Sequence, residues 1–138
     1  MLEGVTPFRY MSRRWHHGDM PKTLPSIDTT TPVCCAPVAA GPISDDDALQ
    51  IALRLKALAD PARVRIMSLL FTSPPTGRTG GELADQLGLS ESTVSHHLTQ
   101  LRRAGFVKSE RRGMSVYHSA DRSALSALCA VLDPDCCR

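Results

Sequence analysis

Ser90-Glu-Ser-Thr-Val-Ser-His-His-Leu-Thr-Gln-Leu-Arg-Arg-Ala-Gly105 is the stretch that decides the fold. Val94, Leu98 and Leu101 fall at i, i+4 and i+7, which puts apolar side chains along one face of a helix. Ser92, Ser95, His96, Thr99 and Gln100 cover much of the remaining surface. A helix that only faces water usually carries Lys and Glu at such positions. Short hydroxyl, amide and imidazole side chains suit a helix lying in a DNA major groove, because they reach base edges and phosphates. Arg102 and Arg103 add positive charge at the end.

The residues upstream read as the partner helix. Thr79-Gly-Gly-Glu82 has the spacing of a capping box, with Thr79 as N-cap and Glu82 three residues later. Leu83, Ala84 and Leu87 supply an apolar face, Gly88 ends the helix, and Ser90 caps the next. A short helix, a glycine turn and a polar-faced second helix make a helix-turn-helix. An ordinary helical hairpin would explain the apolar faces. It would not explain the polar face, the turn spacing and the downstream arginines together.

Downstream, Phe106-Val-Lys-Ser-Glu110 and Ser115-Val-Tyr-His118 alternate as half-buried strands do, with Arg111-Arg-Gly-Met114 as the predicted hairpin tip. Arginines at such a tip reach phosphate or a minor groove. From Arg102 to Arg112 five basic residues stand against one acidic residue, Glu110, which favours DNA over a merely solvated tip. The reading is a mainly α fold with a small β-hairpin, a winged helix-turn-helix. Ser90, Ser92, Thr93, Ser95, His96, His97, Gln100, Arg103, Arg111 and Arg112 are the candidate DNA-binding residues.

Three segments together resemble a known family: Ala57-Leu-Ala-Asp-Pro-Ala-Arg-Val-Arg-Ile66, Gly81-Glu-Leu-Ala-Asp-Gln-Leu-Gly-Leu-Ser-Glu-Ser-Thr-Val-Ser-His-His-Leu98, and Leu101-Arg-Arg-Ala-Gly-Phe-Val107. They look like the ArsR/SmtB family of small winged-helix repressors, and the likeness runs from about Asp47 to Leu132. The resemblance implies a homodimer that binds an operator and lets go when a metal or metalloid binds.

The whole chain, 138 residues, suits one domain with tails. Sixteen basic and fourteen acidic side chains nearly cancel, so the local clustering of charge carries more than the total. No apolar run approaches the ~20 residues a membrane span needs. Arg13-Arg14 lacks a following apolar stretch, so no secretory signal is expected and the protein reads as cytoplasmic. Residues 1–43 hold six of the ten prolines and no helical period, and are expected to be a disordered tail. Met11 and Met20 offer alternative starts within it. Residues 44–132 form the predicted DNA-binding and dimerisation domain, and 133–138 a C-terminal tail.

Within the domain, Ser44 and Asp47 give a capping signature for a first helix from about Asp46 to Leu58. Leu49, Ala52 and Leu53 line one of its faces and Ile51, Leu55 and Leu58 another, as suits a helix serving both a core and a partner subunit. Pro61 opens a second helix to Phe71, and Ser73-Pro-Pro-Thr-Gly77 reads as a loop. A last helix spans Asp121 to Leu132, its stripe made by Leu125, Leu128 and Leu132. Leu49, Leu53, Leu125, Leu128 and Leu132 are the expected dimer contacts.

The five cysteines, Cys34, Cys35, Cys129, Cys136 and Cys137, all lie outside the helix-turn-helix. Adjacent cysteines bridge poorly, and cytoplasmic thiols are more often reduced ligands than disulfides. With no Cys-x-x-Cys, neither a zinc ribbon nor a thioredoxin-type site is indicated. Cys129 reads as core, at i+4 from Leu125, with a ligand role as the alternative; Cys136–Cys137 read as a ligand pair or a frayed end. His16–His17 are at most a weak adventitious site, and His118 reads as structural.

Soft thiolates select soft ions. The resemblance bears on which one. Some family members carry Cys-x-Cys where this chain has Thr79 and Gly81, and others bind zinc through an Asp-x-His where it has Asp121-Arg-Ser123. Some arsenic sensors have a Cys-Cys pair before the first helix in a context like Val33-Cys-Cys-Ala-Pro37, with a third cysteine just ahead of the helix-turn-helix. This chain has none at that third place. The resemblance therefore implies As(III) or Sb(III) held by Cys34, Cys35 and a C-terminal cysteine, Cys136 or Cys137. Release of DNA by Cd, Pb, Cu(I) or an oxidant acting on the same thiols is the second reading. A thiol carrier handing on a metalloid is the third, and it leaves the basic wing without a task. No catalytic constellation is present, so an enzyme is not expected.

Overall fold

The computed structural model describes Val38 and residues 41–133. Of the predicted 1–43 tail only Val38 and residues 41–43 are described; Cys34 and Cys35, and Cys136 and Cys137 beyond Pro134, lie outside the described residues.

Among the described residues, five α-helices and a three-stranded sheet follow in the order α1 (Asp45–Leu58), α2 (Pro61–Phe71), β1 (Arg78–Thr79), α3 (Gly80–Leu87), α4 (Glu91–Arg103), β2 (Val107–Arg112), β3 (Ser115–Ala120) and α5 (Arg122–Leu132). Each helix start has a local cause. Ser44 Oγ accepts from Asp47 N at 3.1 Å and donates to the Asp47 carboxylate at 2.7 Å. Asp60 accepts from Ala62 N and Arg63 N ahead of Pro61. Thr79 and Glu82 close a reciprocal capping box, with Glu82 N to Thr79 Oγ1 at 3.3 Å and Thr79 N to Glu82 Oε2 at 2.7 Å. Asp121 caps α5 through Ser123 N and Ala124 N. Gly88 ends α3 at φ 68°, a left-handed conformation that costs a glycine little.

Phe106, Ile66, Leu83, Leu101 and Val94 are fully buried, so the core sits where α2, α3 and α4 meet the base of the wing. The three apolar positions read from the α4 sequence, Val94, Leu98 and Leu101, all point into it. Leu128 and Val131 bring α5 onto the same core. Each of these side chains contributes roughly 1.5–3 kcal/mol when fully buried.

The wing departs from the sequence expectation in two ways. The strands extend to Arg112 and Ala120, and a two-residue turn, Gly113–Met114, joins them. Arg111 and Arg112 therefore stand in β2, opposite Val116 and Ser115, and not at the tip. Cross-strand pairing continues past the short alternating run because a two-residue turn with glycine first lets the ladder close directly. The second departure is β1, which pairs antiparallel with β3 through Arg78↔His118 and Thr79↔Tyr117 and makes the sheet order β1-β3-β2. The expected loop ends in a strand because Gly77, at φ 80°, packs flat on the carbonyl of His118, leaving no room for a Cβ.

The helices expected to meet a partner subunit divide. Leu49 on α1 and Leu132 on α5 are about two-fifths exposed, as is Leu55. Leu128 is 2% exposed and belongs to this chain's own core. Leu53 and Leu125 are half-buried.

Candidate nucleic-acid interface

About 3.6 residues per turn distribute α4 into three faces. Val94, Leu98 and Leu101 face the core. Opposite them Ser92, His96 and Arg103 are exposed, with Ser95 and Thr93 to either side. Every side chain on this outer face carries a donor, an acceptor or a positive charge, and the only carboxylate on the helix, Glu91, lies at its first residue. Ser90 is spent locally: its Oγ accepts from Thr93 N at 3.2 Å and meets the Ser92 and Thr93 hydroxyls. Thr99 donates to Ser95 O at 2.9 Å, which leaves its oxygen free to accept.

Two of the predicted residues sit off the outer face. Gln100 is half-buried. His97 leans toward the start of α2, half-buried, with its Nδ1 shielded from solvent and without a hydrogen-bond partner. There it adds its charge to the Asp60 cap. Desolvation pushes the Asp60 carboxyl up, but the hydrogen bonds from Ala62 and Arg63, with the charges of His97 and Arg63, outweigh it and leave the group lowered. The i, i+3 spacing of His97 from Val94 could have shown this, since it places the ring at the edge of the apolar face.

The wing arginines have different duties. Arg111 is exposed, and among the described residues its guanidinium makes one hydrogen bond, a long contact from Nε to Gly113 O at 3.4 Å. Arg112 donates to Thr76 O at 3.0 Å and to the Glu110 carboxylate at 2.6 Å, and its guanidinium lies 5.0 Å from the centre of the Tyr117 ring. It ties the wing to the loop before β1. The hydrogen bond and charge of Arg112 hold the Glu110 carboxyl below its ordinary range.

At the other end of the wing, Asp121 accepts from Ser123 at 2.5 Å and pairs with Lys108 of β2 at 2.9 Å. These contacts lower its carboxyl from 3.8 to about 2. His118 of β3 is buried and shares a 2.8 Å hydrogen bond with Ser109 across the hairpin. Burial, and then the nearby Arg102 charge, hold its imidazole below the ordinary histidine range.

Between α4 and the wing runs an open groove of about 420 Å³, walled by Ser95, Thr99 and Arg102 on one side and Ser115 and Val116 on the other, with Gly81 and Glu91 at one end. Sequence reading did not find it, because it depends on how β3 is set against α4.

Among the described residues no group of three or more His, Cys, Asp or Glu side chains could hold a metal ion. Cys129 is half-buried on α5. Among the described residues no helix is long and apolar enough to cross a membrane.

Comparison with known proteins agrees with this geometry. Residues 60–109 match the model of the bacterial regulatory protein arsR family. The chain is 37% identical over 83 residues to the HTH-type transcriptional regulator YgaV of Escherichia coli K12, covering 60% of this chain and 82% of that protein. It is 40% identical over 92 residues to the transcriptional repressor SmtB homolog of a Synechocystis strain, covering 66% of this chain and 67% of that one. A solved structure described as a possible transcriptional regulator for arsenical resistance superposes with a TM-score of 0.52 at 32% identity, over 56% of this chain and 78% of the other. The matched region holds the helix-turn-helix and the first half of β2, and the chain belongs to the ArsR/SmtB family of DNA-binding transcriptional regulators.

Proposed function

We propose that this protein is a metalloid-responsive repressor. A homodimer binds operator DNA and releases it when As(III) or Sb(III) is taken up by Cys34 and Cys35 with Cys136 or Cys137. The observation that carries the DNA half is the outer face of α4, where Ser92, Ser95, His96 and Arg103 stand exposed with Arg111 on the adjacent wing. Ser90, Thr93 and Gln100 flank the base-reading group; His97 orients the helix against α2. Because one recognition helix covers only a half-site, a palindromic operator calls for two. Exposed Leu49 and Leu132 on α1 and α5 supply apolar surface for the pairing. An operator-binding role places the protein in the cytoplasm, with residues 44–132 as the reading and pairing unit and the two tails as thiol carriers.

The family resemblance implies a metal or metalloid inducer, and the thiols here are the soft donors such a sensor needs. Two features favour arsenic and antimony among soft ions: the Val33-Cys-Cys-Ala-Pro37 context and the solved relative linked to arsenical resistance. Binding would join the tails to the end helices, and it shifts the DNA equilibrium only by its difference in affinity for the two states.

The test is a gel shift of the full chain on its own upstream DNA, with arsenite added. Release by arsenite in the wild type, and retention in the Cys34→Ser/Cys35→Ser double variant, is the expected result. Release that persists in that variant removes the N-terminal pair from the site and moves it to Cys129, Cys136 and Cys137. Release by cadmium, lead, copper(I) or peroxide but not by arsenite would keep the thiol sensor and change its input.

A further inference from the structure

We infer that the groove between α4 and the wing seats a backbone phosphate of the bound DNA at its Arg102 end, with Glu91 at the opposite end limiting sequence-independent affinity. The inference rests on the DNA-binding role of the family. It adds a contact outside the outer face of α4 and the wing arginines.

Position comes first. Glu91, Ser95, Thr99 and Arg102 recur at i, i+4, i+8 and i+11, so they share the flank of α4 that turns toward β3. When the outer face of a helix lies in the major groove, its flank meets the sugar-phosphate strand bordering that groove. A wing on the same side reaches across the same strand. The groove is where that strand would pass.

Charge comes second. Arg102 is exposed and, among the described residues, its guanidinium makes no hydrogen bond or ion pair. It contrasts with Arg112, whose guanidinium is committed to Thr76, Glu110 and the Tyr117 ring. The other ionisable side chain beside Arg102 is His118, buried and held toward its neutral form. A guanidinium without a carboxylate partner in a partly enclosed groove is a site for an anion, and its fork of donors fits phosphate oxygens. The hydroxyls of Ser95 and Ser115 line the walls beside it.

At the far end, Glu91 Oε1 lies 3.6 Å from where a Cβ on Gly81 would stand, so a carboxylate occupies the start of α3. It repels a phosphate there and confines the strand to the Arg102 end. One groove thus predicts opposite effects for two residues.

The experiment is fluorescence anisotropy of the full chain on its own upstream DNA and on a scrambled duplex, across about 50–300 mM KCl, where phosphate contacts set the slope. Arg102→Gln is expected to weaken both duplexes by one common factor and to lower the log–log salt slope by about 0.9 for each protomer engaged. Arg102→Lys should keep most of the slope. Glu91→Gln should tighten both duplexes equally. An unchanged slope in Arg102→Gln, with the protein folded by circular dichroism, overturns the inference. So does a change in the ratio between the duplexes, which would make Arg102 a base reader. If inorganic phosphate at fixed ionic strength displaces DNA from wild type but not from Arg102→Gln, while the slope stays put, the groove is a small-anion site and the inference fails. Absence of operator preference in the wild type would sink the repressor reading alone, since the slope on scrambled DNA still reports the phosphate contact.

Discussion

Gly77→Ala should destabilise the protein far more than Gly88→Ala, although both glycines have positive φ. The backbone part is shared. Gly77 sits at φ 80° and Gly88 at φ 68°, and holding an L-residue there costs roughly 1–2 kcal/mol. Alanine also restricts the unfolded chain, which returns about 0.4–1 kcal/mol in each case. The difference is steric. A Cβ at Gly88 meets nothing within 4 Å, whereas one at Gly77 would lie 2.5 Å from His118 O and 3.1 Å from His118 C. The obstacle is backbone in the middle strand of the sheet and cannot rotate away. Either Gly77 retreats, which breaks the Arg78↔His118 and Thr79↔Tyr117 pairing, or β3 moves. Overlap of this kind costs about 1–3 kcal/mol. The expected totals are about 0.5–1 kcal/mol for Gly88→Ala and roughly 2–4 kcal/mol for Gly77→Ala. Urea unfolding followed by far-ultraviolet circular dichroism gives both from the midpoints, provided the slopes agree. Equal losses in the two variants, within about 0.5 kcal/mol, would refute the claim that contact with His118 fixes the start of the wing.

The same structure predicts the outcome of further substitutions. Under the proposed homodimer, Leu132→Asp should give a monomer in sedimentation velocity while keeping the helical spectrum, because Leu132 is exposed. Leu128→Asp should unfold the chain instead, since it would bury a carboxylate at a cost of several kcal/mol. Asp121→Ala should lose about 1 kcal/mol at neutral pH through the missing α5 cap. The folded carboxyl titrates at about 2, below the ordinary 3.8, so that stability exists above pH 3.8 and disappears as pH falls toward 2. The wild type and the variant should therefore converge over that interval in acid titrations of thermal unfolding. Arg112→Ala should change global stability little but speed amide exchange in β2 and β3. Its effect on the salt slope of DNA binding should be smaller than that of Arg111→Ala, whose side chain has less to hold it.

Helix positions were legible where a short-range rule decides them. Thr79 with Glu82, Ser90 before Glu91, Asp60 before Pro61 and Ser44 with Asp47 mark helix starts that depend only on neighbours three residues away. The α4 face was legible for the same reason, since a 3.6-residue period fixes which side chains oppose Val94 and Leu98. What escaped was set by contacts distant in sequence. β1 exists because Gly77 meets His118, forty-one positions later. Arg112 reads as a free cation at a hairpin tip until Thr76, thirty-six positions before it, is seen to accept its hydrogen bond. Leu128 and Leu132 are equivalent in the α5 pattern, yet one is core and the other is exposed. An apolar stripe does not say where the chain's own core stops.

The fold also shows how α5 is joined to the elements that would touch DNA. Its cap, Asp121, pairs with Lys108 of β2, and Asp121 N donates to Phe106 O at the base of the wing. The next residue, Arg122, donates to Phe71 O at 2.8 Å and lies over the Phe71 ring, fastening α5 to the end of α2. Phe106 is fully buried and follows α4 directly, so the start of α5, the root of the wing and the end of the recognition helix share one rigid corner. The opposite end of α5 leads toward Cys136 and Cys137, and Leu132 is exposed there. Under the proposed function, a metalloid drawing the thiols together acts on the C-terminal end of a helix whose other end is anchored to the reading surface. Spatial connection alone does not establish coupling. Reciprocity does: if arsenite lowers operator affinity by a given factor, operator must lower arsenite affinity by the same factor. Measuring both affinities on one preparation closes the cycle. Unequal factors would mean that arsenite removes the protein from solution, by cross-linking or aggregation, and does not switch it between two states.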